Sequence, residues 1–440
     1  MEAEQKAGWN IFKQIFADHW EGFKEKNPLY DKSYYNDLVE KMLDCGNPEK
    51  MGYIEYRCMH CGQETRIVSM SCKCSLCLRC GKVYVDEWVS QISQMLHEGL
   101  IYRHIVLTVP EVLRKTFYNH PELLGPFMKC VIKCLDDFFS CVSKKKIKGG
   151  YIVVLQTHGR NGQYNPHLHI IATSGGLDEE SQKWVHLNYL PYRMLHKKWQ
   201  WYLLEMLREQ LDTDEIDKLV DYCYKRYPKG FVANVQTGDV PGRYKSLAKY
   251  LAKYVVSPPI SIRRIDAYDG QTVTYHYRSH KTEKVEKETV DVYTFMGRMI
   301  QHVLPKGFQR IRYYGFQATK TFEKVKGIIQ EALAKVKRAV HGAIKIIAPK
   351  NYRERYQEST GKDPFICPRC GQEMGIWLIW HPKYGIVYDE SEEMKKGKYE
   401  KYETKAKDAA TTTNSGGGTI RPSPKRVQLS LFGVWDGASC

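Results

Sequence analysis

The chain is 440 residues long, enough for two or three domains with real hydrophobic cores, and lysine plus arginine outnumber aspartate plus glutamate by 67 to 50, a net charge of +17. That surplus, with 12% aromatic residues, suits a polyanionic partner whose bases stack on rings. No apolar run approaches the ~20 residues of a membrane span, and Met1–Lys6 lack the apolar core of a signal peptide, so the 14 cysteines are expected in a reducing cytoplasm, where paired spacing points to metal rather than disulfides.

Residues 1–50 read as helical and aromatic: Trp9, Phe12, Phe16 and Trp20 recur at helical spacing, as do Tyr34, Leu38, Met42 and Leu43, which makes a packing face. A cysteine cluster at 58–80 precedes a short helix over 86–97, and from about residue 100 the texture is mixed α/β. Arg103–Pro110 reads as a buried strand closed by proline, followed by a helix over 121–146. Strands Tyr151–His158 and His167–Thr173 are joined by a Gly/Asn turn at Gly159–Asn165. Helices are expected over 180–211 and 214–227, a strand at Phe231–Thr237, and a helix at Ser246–Val256 stopped by Pro258-Pro259. Gln271–Arg278 and Gln309–Tyr314 read as strands flanking a helix near Val292–Val303, and 318–347 as a basic helix. A lysine-rich run, Lys395–Lys407, and a Gly/Ser stretch at 411–418 open a flexible tail. The expected organisation is therefore N-terminal helices with a zinc-binding module over 1–98, a catalytic domain over 99–316, a basic helix with a cysteine knuckle over 317–390, and a tail over 391–440.

Alternate residues of a strand share a face, so His167 and His169 project together while Leu168 and Ile170 face the core. Two imidazoles that close can hold one divalent ion. The preceding strand offers either His158 or Gln156 as a third ligand, with His158 favoured because it sits nearer the turn. Such a set leaves coordination positions open for phosphate oxygens. Tyr250 and Tyr254 are spaced one helical turn apart, so their side chains neighbour each other, flanked by Lys249 and Lys253, which suit a phosphate backbone. A phenol with an ordinary pKa near ~10 needs metal or cationic help to act as a nucleophile at neutral pH.

A basic α/β domain with a His-x-His strand followed by a tyrosine-bearing helix resembles the HUH endonuclease superfamily, and more narrowly the rolling-circle transposases of the IS ninety-one type. The resemblance rests on ordered blocks: Ser71-Cys72-Lys73, His104–Pro110, Gln156-Thr157-His158-Gly159, Asn165-Pro166-His167-Leu168-His169, Lys249–Tyr254 ahead of Pro258-Pro259-Ile260, Arg312-Tyr313-Tyr314-Gly315, and Cys367-Pro368-Arg369-Cys370-Gly371. It implies an α+β fold with an HUH-type antiparallel sheet flanked by helices, carrying His167 and His169 on a central strand. It also implies Mg²⁺ or Mn²⁺ at that site, cleavage of single-stranded DNA at transposon ends and target, and a 5′-phosphotyrosine on Tyr250 or Tyr254. Two other readings are a replication initiator or relaxase using the same chemistry, and a non-catalytic zinc-dependent DNA-binding protein.

Cys58-x2-Cys61 and Cys77-x2-Cys80 enclose fifteen residues, close to the spacing of a four-cysteine zinc ribbon, with Cys72 as a substitute ligand. Cys367 and Cys370 form a second knuckle with no downstream partner pair. Arg263, Arg264, Arg310 and Arg312, with Tyr313, interleave charge and rings as single-strand contacts. In the tail, Gln428-Leu429-Ser430-Leu431-Phe432 resembles the short peptide by which bacterial replication proteins dock on the sliding clamp, which suits a protein of the bacterial cytoplasm and nucleoid.

Overall fold

The runs Ile105-Val106-Leu107, Ile152–Leu155 and Leu168–Ala172 are apolar on both alternating sets, the pattern of strands covered on two faces. In the computed structural model, which describes residues 9–97, 99–235, 258–279, 282–320, 322–334, 348 and 350–396, all three lie in one sheet. The chain begins with helices α1 (Ile11–Lys26), α2 (Ser33–Asp44) and α3 (Pro48–Met51), strands β1 (Tyr53–Arg57) and β2 (Thr65–Ser69), then α4 (Leu78–Gln94). Next come β3 (Tyr102–Thr108), α5 (Glu111–Asn119), α6 (Leu124–Ser143), β4 (Ile147–Lys148), β5 (Gly150–His158), β6 (Tyr164–Thr173), β7 (Gly175–Asp178) and β8 (Trp184–His186). They lead to α7 (Tyr192–Leu211), α8 (Asp214–Arg226) and β9 (Ala233–Val235). Beyond residue 258 follow β10 (Ile265–Tyr268), β11 (Thr272–Arg278), β12 (Val285–Asp291), α9 (Val292–Ile300), β13 (Ile311–Gly315) and α10 (Phe322–Ala334). The last described elements are α11 (Tyr352–Thr360), β14 (Gly375–His381), β15 (Gly385–Asp389) and α12 (Glu390–Lys395).

The chain divides into two units. The larger comprises Asn10–Val39 and Lys73–Lys350, and is organised around an antiparallel five-stranded sheet of order β13-β5-β6-β3-β9. One face of that sheet packs Tyr151, Val153, Leu155, Leu168 and Ile170 against α5, α6 and α7, with Trp199 fully buried. On the other face Ile152, Val154, Ile171 and Tyr102 meet Val85, Trp88, Val89 and Ile92 of α4. At about 1.5–3 kcal/mol per large apolar side chain buried, these two layers dominate the stability of the unit. α1, N-capped by Asn10, lays Phe12 edge-on against Phe295 of α9, with ring centroids 6.3 Å apart. A three-stranded meander, β10-β11-β12, and a small sheet, β4-β7-β8, complete this unit among the described residues.

The smaller unit takes Met1–Trp9, Glu40–Cys72 and Asn351–Cys440. Its antiparallel sheet, β15-β14-β1-β2, joins two hairpins from distant parts of the chain, with Arg57 of β1 opposite Gly375 of β14. This partition cuts across the boundaries at 98 and 317 read from sequence: α1 and α4 belong to the larger unit, and the C-terminal knuckle belongs to the unit whose sheet begins at Tyr53. The fold is mixed α and β with antiparallel sheets, as expected. Two local expectations differ. The helix placed at 86–97 begins at Leu78, and the stretch 180–211 opens with β8 before Pro191 sets the first turn of α7.

Candidate metal centre and cysteine sites

β6 lies between β5 and β3, which sets Gln156 and Thr108 opposite His167, and Val154 and Val106 opposite His169. Alternation along β6 sends Leu168 and Ile170 into the core under α5–α7, so His167 and His169 project to the other face, their rings 5.0 Å apart. His167 donates Nδ1–H to the carbonyl of Asn165 at 2.7 Å, which leaves its Nε2 with a free lone pair. His169 Nε2 lies 3.2 Å from Oε1 of Gln156, and its Nδ1 lies 2.9 Å from Nε2 of His104 on β3. Burial holds both His167 and His169 below the ordinary histidine range, with the neighbouring imidazoles adding to the effect at His169, so both rings are neutral ligands at neutral pH. Two imidazoles and an amide side chain on one face of the sheet are a donor set that can hold a divalent cation.

His158, the ligand favoured from sequence, lies past an irregularity in the ladder, and it still acts electrostatically on His169. The β5–β6 register shifts between Gln156 and His158, which sets His158 opposite Tyr164 with its ring 5.4 Å from that of His302. Among the described residues, His158, His167 and His169 do not gather their ring nitrogens into one metal-sized group. Gln156 lies within hydrogen-bond distance of His169 Nε2.

Arg114 on α5 was not singled out by any motif, yet its charge acts on His167 and its buried Nε has no hydrogen-bond partner among the described residues. A burial pattern cannot reveal such a residue from sequence, because the helix reads only as amphipathic.

In the smaller unit the two C-x2-C segments fold alike. Gly62 and Gly371, at φ +65° and +72°, each donate N–H to the carbonyl of the first cysteine of their pair at 2.9 Å, a left-handed turn that glycine adopts without strain. The turns face each other, with Cys58 Sγ 3.4 Å from Cys370 Sγ and Cys61 Sγ 3.8 Å from Cys367 Sγ. All four thiols lie within 4.8 Å of one another, and the Cys61 backbone N–H draws the Cys58 thiol toward its ionised form. Four such thiols match the donor set of a structural zinc.

This corrects the pairing read from spacing. Cys58 and Cys61 are completed by Cys367 and Cys370, not by Cys77 and Cys80, because β1 has β14 as its second neighbour. Cys77 instead N-caps α4 and Cys80 lies in its first turn, both buried in the larger unit, while Cys72 is half-buried at the end of the smaller unit's N-terminal segment.

The basic candidates divide as well. Arg263 is exposed on a short turn, Ile262–Arg264, whereas Arg264 donates to the carbonyls of His276 at 2.8 Å and Arg160 at 2.6 Å and is committed to tying loops together. Arg310 is half-buried, and Arg312 lies 5.1 Å over the ring of Phe308. Tyr313 is partly buried against the α4 layer, and burial pushes its phenol up to about 12. Tyr250, Tyr254, Lys249, Lys253, Gln428, Leu429, Leu431 and Phe432 lie outside the described residues.

Among the described residues no helix is long and apolar enough to cross a membrane. The sequence matches a family described as a transposase over residues 150–324, which holds both metal-site strands, and a transposase zinc-binding domain of the IS91 type over 15–109. It is 27% identical to the transposase for insertion sequence element IS801 of Pseudomonas savastanoi pv. phaseolicola over 377 residues, covering 82% of this chain and 88% of that protein. It is 28% identical over 379 residues to a protein of Sinorhizobium fredii described as a transposase, y4qJ, covering 83% of this chain and 94% of that one. No solved structure matches it. With a transposase family and an IS91-type transposase zinc-binding domain both matched, and two transposase relatives aligned over more than four-fifths of the chain, the chain belongs to the transposases of the IS91 type.

Proposed function

We propose that this transposase cuts and rejoins single-stranded DNA at transposon ends through a tyrosine-linked intermediate, and that its catalytic domain is of the HUH kind. The observation that carries the reading is that His167, His169 and Gln156 share one face of the central sheet, with the two imidazole rings 5.0 Å apart and His169 Nε2 3.2 Å from Gln156 Oε1. A divalent ion held there would polarise the scissile phosphate and draw off charge as it builds on the phosphoryl oxygens. The phenol oxygen of Tyr250 or Tyr254 attacks phosphorus, the P–O3′ bond breaks, and the 3′ oxygen leaves as a hydroxyl once protonated. One strand end is then held as a 5′-phosphotyrosine. Attack of a 3′-hydroxyl on that linkage reverses the step, frees the phenol and joins the new strand. A second tyrosine lets donor and target ends be held together. Arg114, beside His167 and short of partners, and the exposed Arg263 suit phosphates flanking the cut.

Two further assignments extend this reading. Cys77 and Cys80 keep the C-x2-C spacing of a zinc knuckle and are proposed to serve as ligands of a second structural zinc. Gln428-Leu429-Ser430-Leu431-Phe432 is proposed to dock on the replication sliding clamp, which would bring the enzyme to exposed single strands.

The test is incubation with single-stranded oligonucleotides bearing the element's ends and Mn²⁺, followed by denaturing electrophoresis. A DNA–protein adduct that survives denaturation, requires metal and disappears in the Tyr250→Phe/Tyr254→Phe double variant is expected. Cleavage without any covalent adduct, or an adduct that persists in the double variant, overturns the proposal.

A further inference from the structure

We propose that His104 is a positioning residue of the metal centre, one that fixes the tautomer and orientation of His169. The inference rests on reading His167, His169 and Gln156 as metal ligands. A neutral imidazole carries one N–H and one lone pair. For His169 to offer Nε2 to a cation, its proton must sit on Nδ1, and a buried Nδ1–H needs an acceptor. His167 solves this locally with the carbonyl of Asn165. His169 has Nε2 of His104 instead, 2.9 Å away. The two rings lie within 8° of parallel with centroids 5.1 Å apart, an edge-to-edge arrangement that lines the N–H of one ring with the lone pair of the other. Both side chains are almost fully buried, His104 at 4% exposure and His169 at 6%, so water does not substitute for either partner.

The direction of this bond decides the chemistry. With His169 donating, its Nε2 lone pair points to the side of Gln156, where a shared cation would sit. With His104 donating, the His169 proton moves to Nε2, faces Gln156 Oε1 and blocks coordination. His104 is in place because β3 and β6 pair antiparallel, setting His104 opposite Ile171, one step along the same face from His169. Its role is to accept, and a side chain that cannot accept fails in it however well it fills the space.

The experiment is Mn²⁺ titration of the full chain by electron paramagnetic resonance, comparing His104→Leu and His104→Gln, with His167→Ala as reference. His104→Leu is expected to weaken Mn²⁺ binding roughly 10–100-fold, and His104→Gln, which restores an acceptor oxygen, to recover most of it. Equal loss in both His104 variants, or wild-type affinity in His104→Leu while His167→Ala loses it, overturns the positioning role alone. Wild-type affinity in His167→Ala overturns the metal reading beneath it. Because His104→Leu could disturb folding, histidine ¹⁵N spectra of the wild-type chain with Mg²⁺ supply an independent measure. The expected His169 resonance is the Nδ1–H tautomer, and an Nε2–H tautomer overturns the proposal.

Discussion

Replacing Cys367 and Cys370 together by serine is expected to remove one zinc per chain and unfold the smaller unit. The four thiols around Cys58 lie within 4.8 Å of one another, and the double variant leaves only Cys58 and Cys61, two of the four ligands a closed structural site requires. Structural zinc supplies an apparent ~10–16 kcal/mol to small metal-dependent folds. The hydrophobic cluster around these thiols offers little in its place: Met374 is buried beside Cys58 and Cys367, with Tyr56 only partly buried against them. Loss of the metal should therefore release the β14–β15 hairpin, carrying Trp377 and Trp380, from its pairing with β1. The assay is zinc content by mass spectrometry, followed by limited proteolysis and tryptophan fluorescence. Expected are one zinc fewer than wild type, new cleavage between 351 and 396, and a red-shifted emission. The refuting result is specific. If the double variant keeps its full zinc content and protease resistance while Cys77→Ser/Cys80→Ser loses the zinc bound by Cys58 and Cys61, the ribbon is completed by the pair that spacing alone suggested.

Replacing Gln156 by alanine should weaken Mn²⁺ binding roughly tenfold or more, while His158→Ala should leave it near wild type; the reverse ranking in a Mn²⁺ titration would restore His158 as the third ligand. Arg114→Ala should weaken single-stranded DNA binding about tenfold or more, the value of one charge-assisted phosphate bond, and lower the salt dependence measured by fluorescence anisotropy; an unchanged salt slope would remove Arg114 from the interface. His302 donates Nε2–H to Gly162 at 2.8 Å and accepts from Thr157 at Nδ1 at 3.2 Å, and burial pushes its pKa down to about 4. Folded His302 thus binds fewer protons than the unfolded chain, whose histidine titrates near ~6.5, so its contribution is intact above that pH and is lost as pH falls toward 4, by ~2 kcal/mol at pH 5. Urea melts of wild type and His302→Gln at pH 7.5 and 5 test this, and equal acid sensitivity in both would refute it.

What the sequence made legible was what a few neighbouring residues decide. His167 and His169 had to share a face because strand alternation is local, and the two C-x2-C knuckles showed in their spacing because each turn is closed by a bond four residues back. The placement of His158 was harder to read, because alternation holds only while the ladder is regular. The shift after Gln156 accompanies the bond from the Thr157 hydroxyl to His302, a residue 145 positions away, and no window around His158 contains it. The cysteine pairing failed for the same reason at larger scale. Cys61 and Cys367 are 306 residues apart, and the only sequence sign of their meeting was that each knuckle lacked something: one had too many candidate partners, the other none. An orphan C-x2-C is thus better read as a request for a distant pair than as a remnant, since a glycine-closed knuckle with two thiols and no metal would bring sulfur atoms together to no energetic benefit. The same logic applies to Arg264, whose type suits nucleic acid but whose guanidinium donates to the carbonyls of Arg160 and His276, partners set by tertiary pairing that composition does not encode.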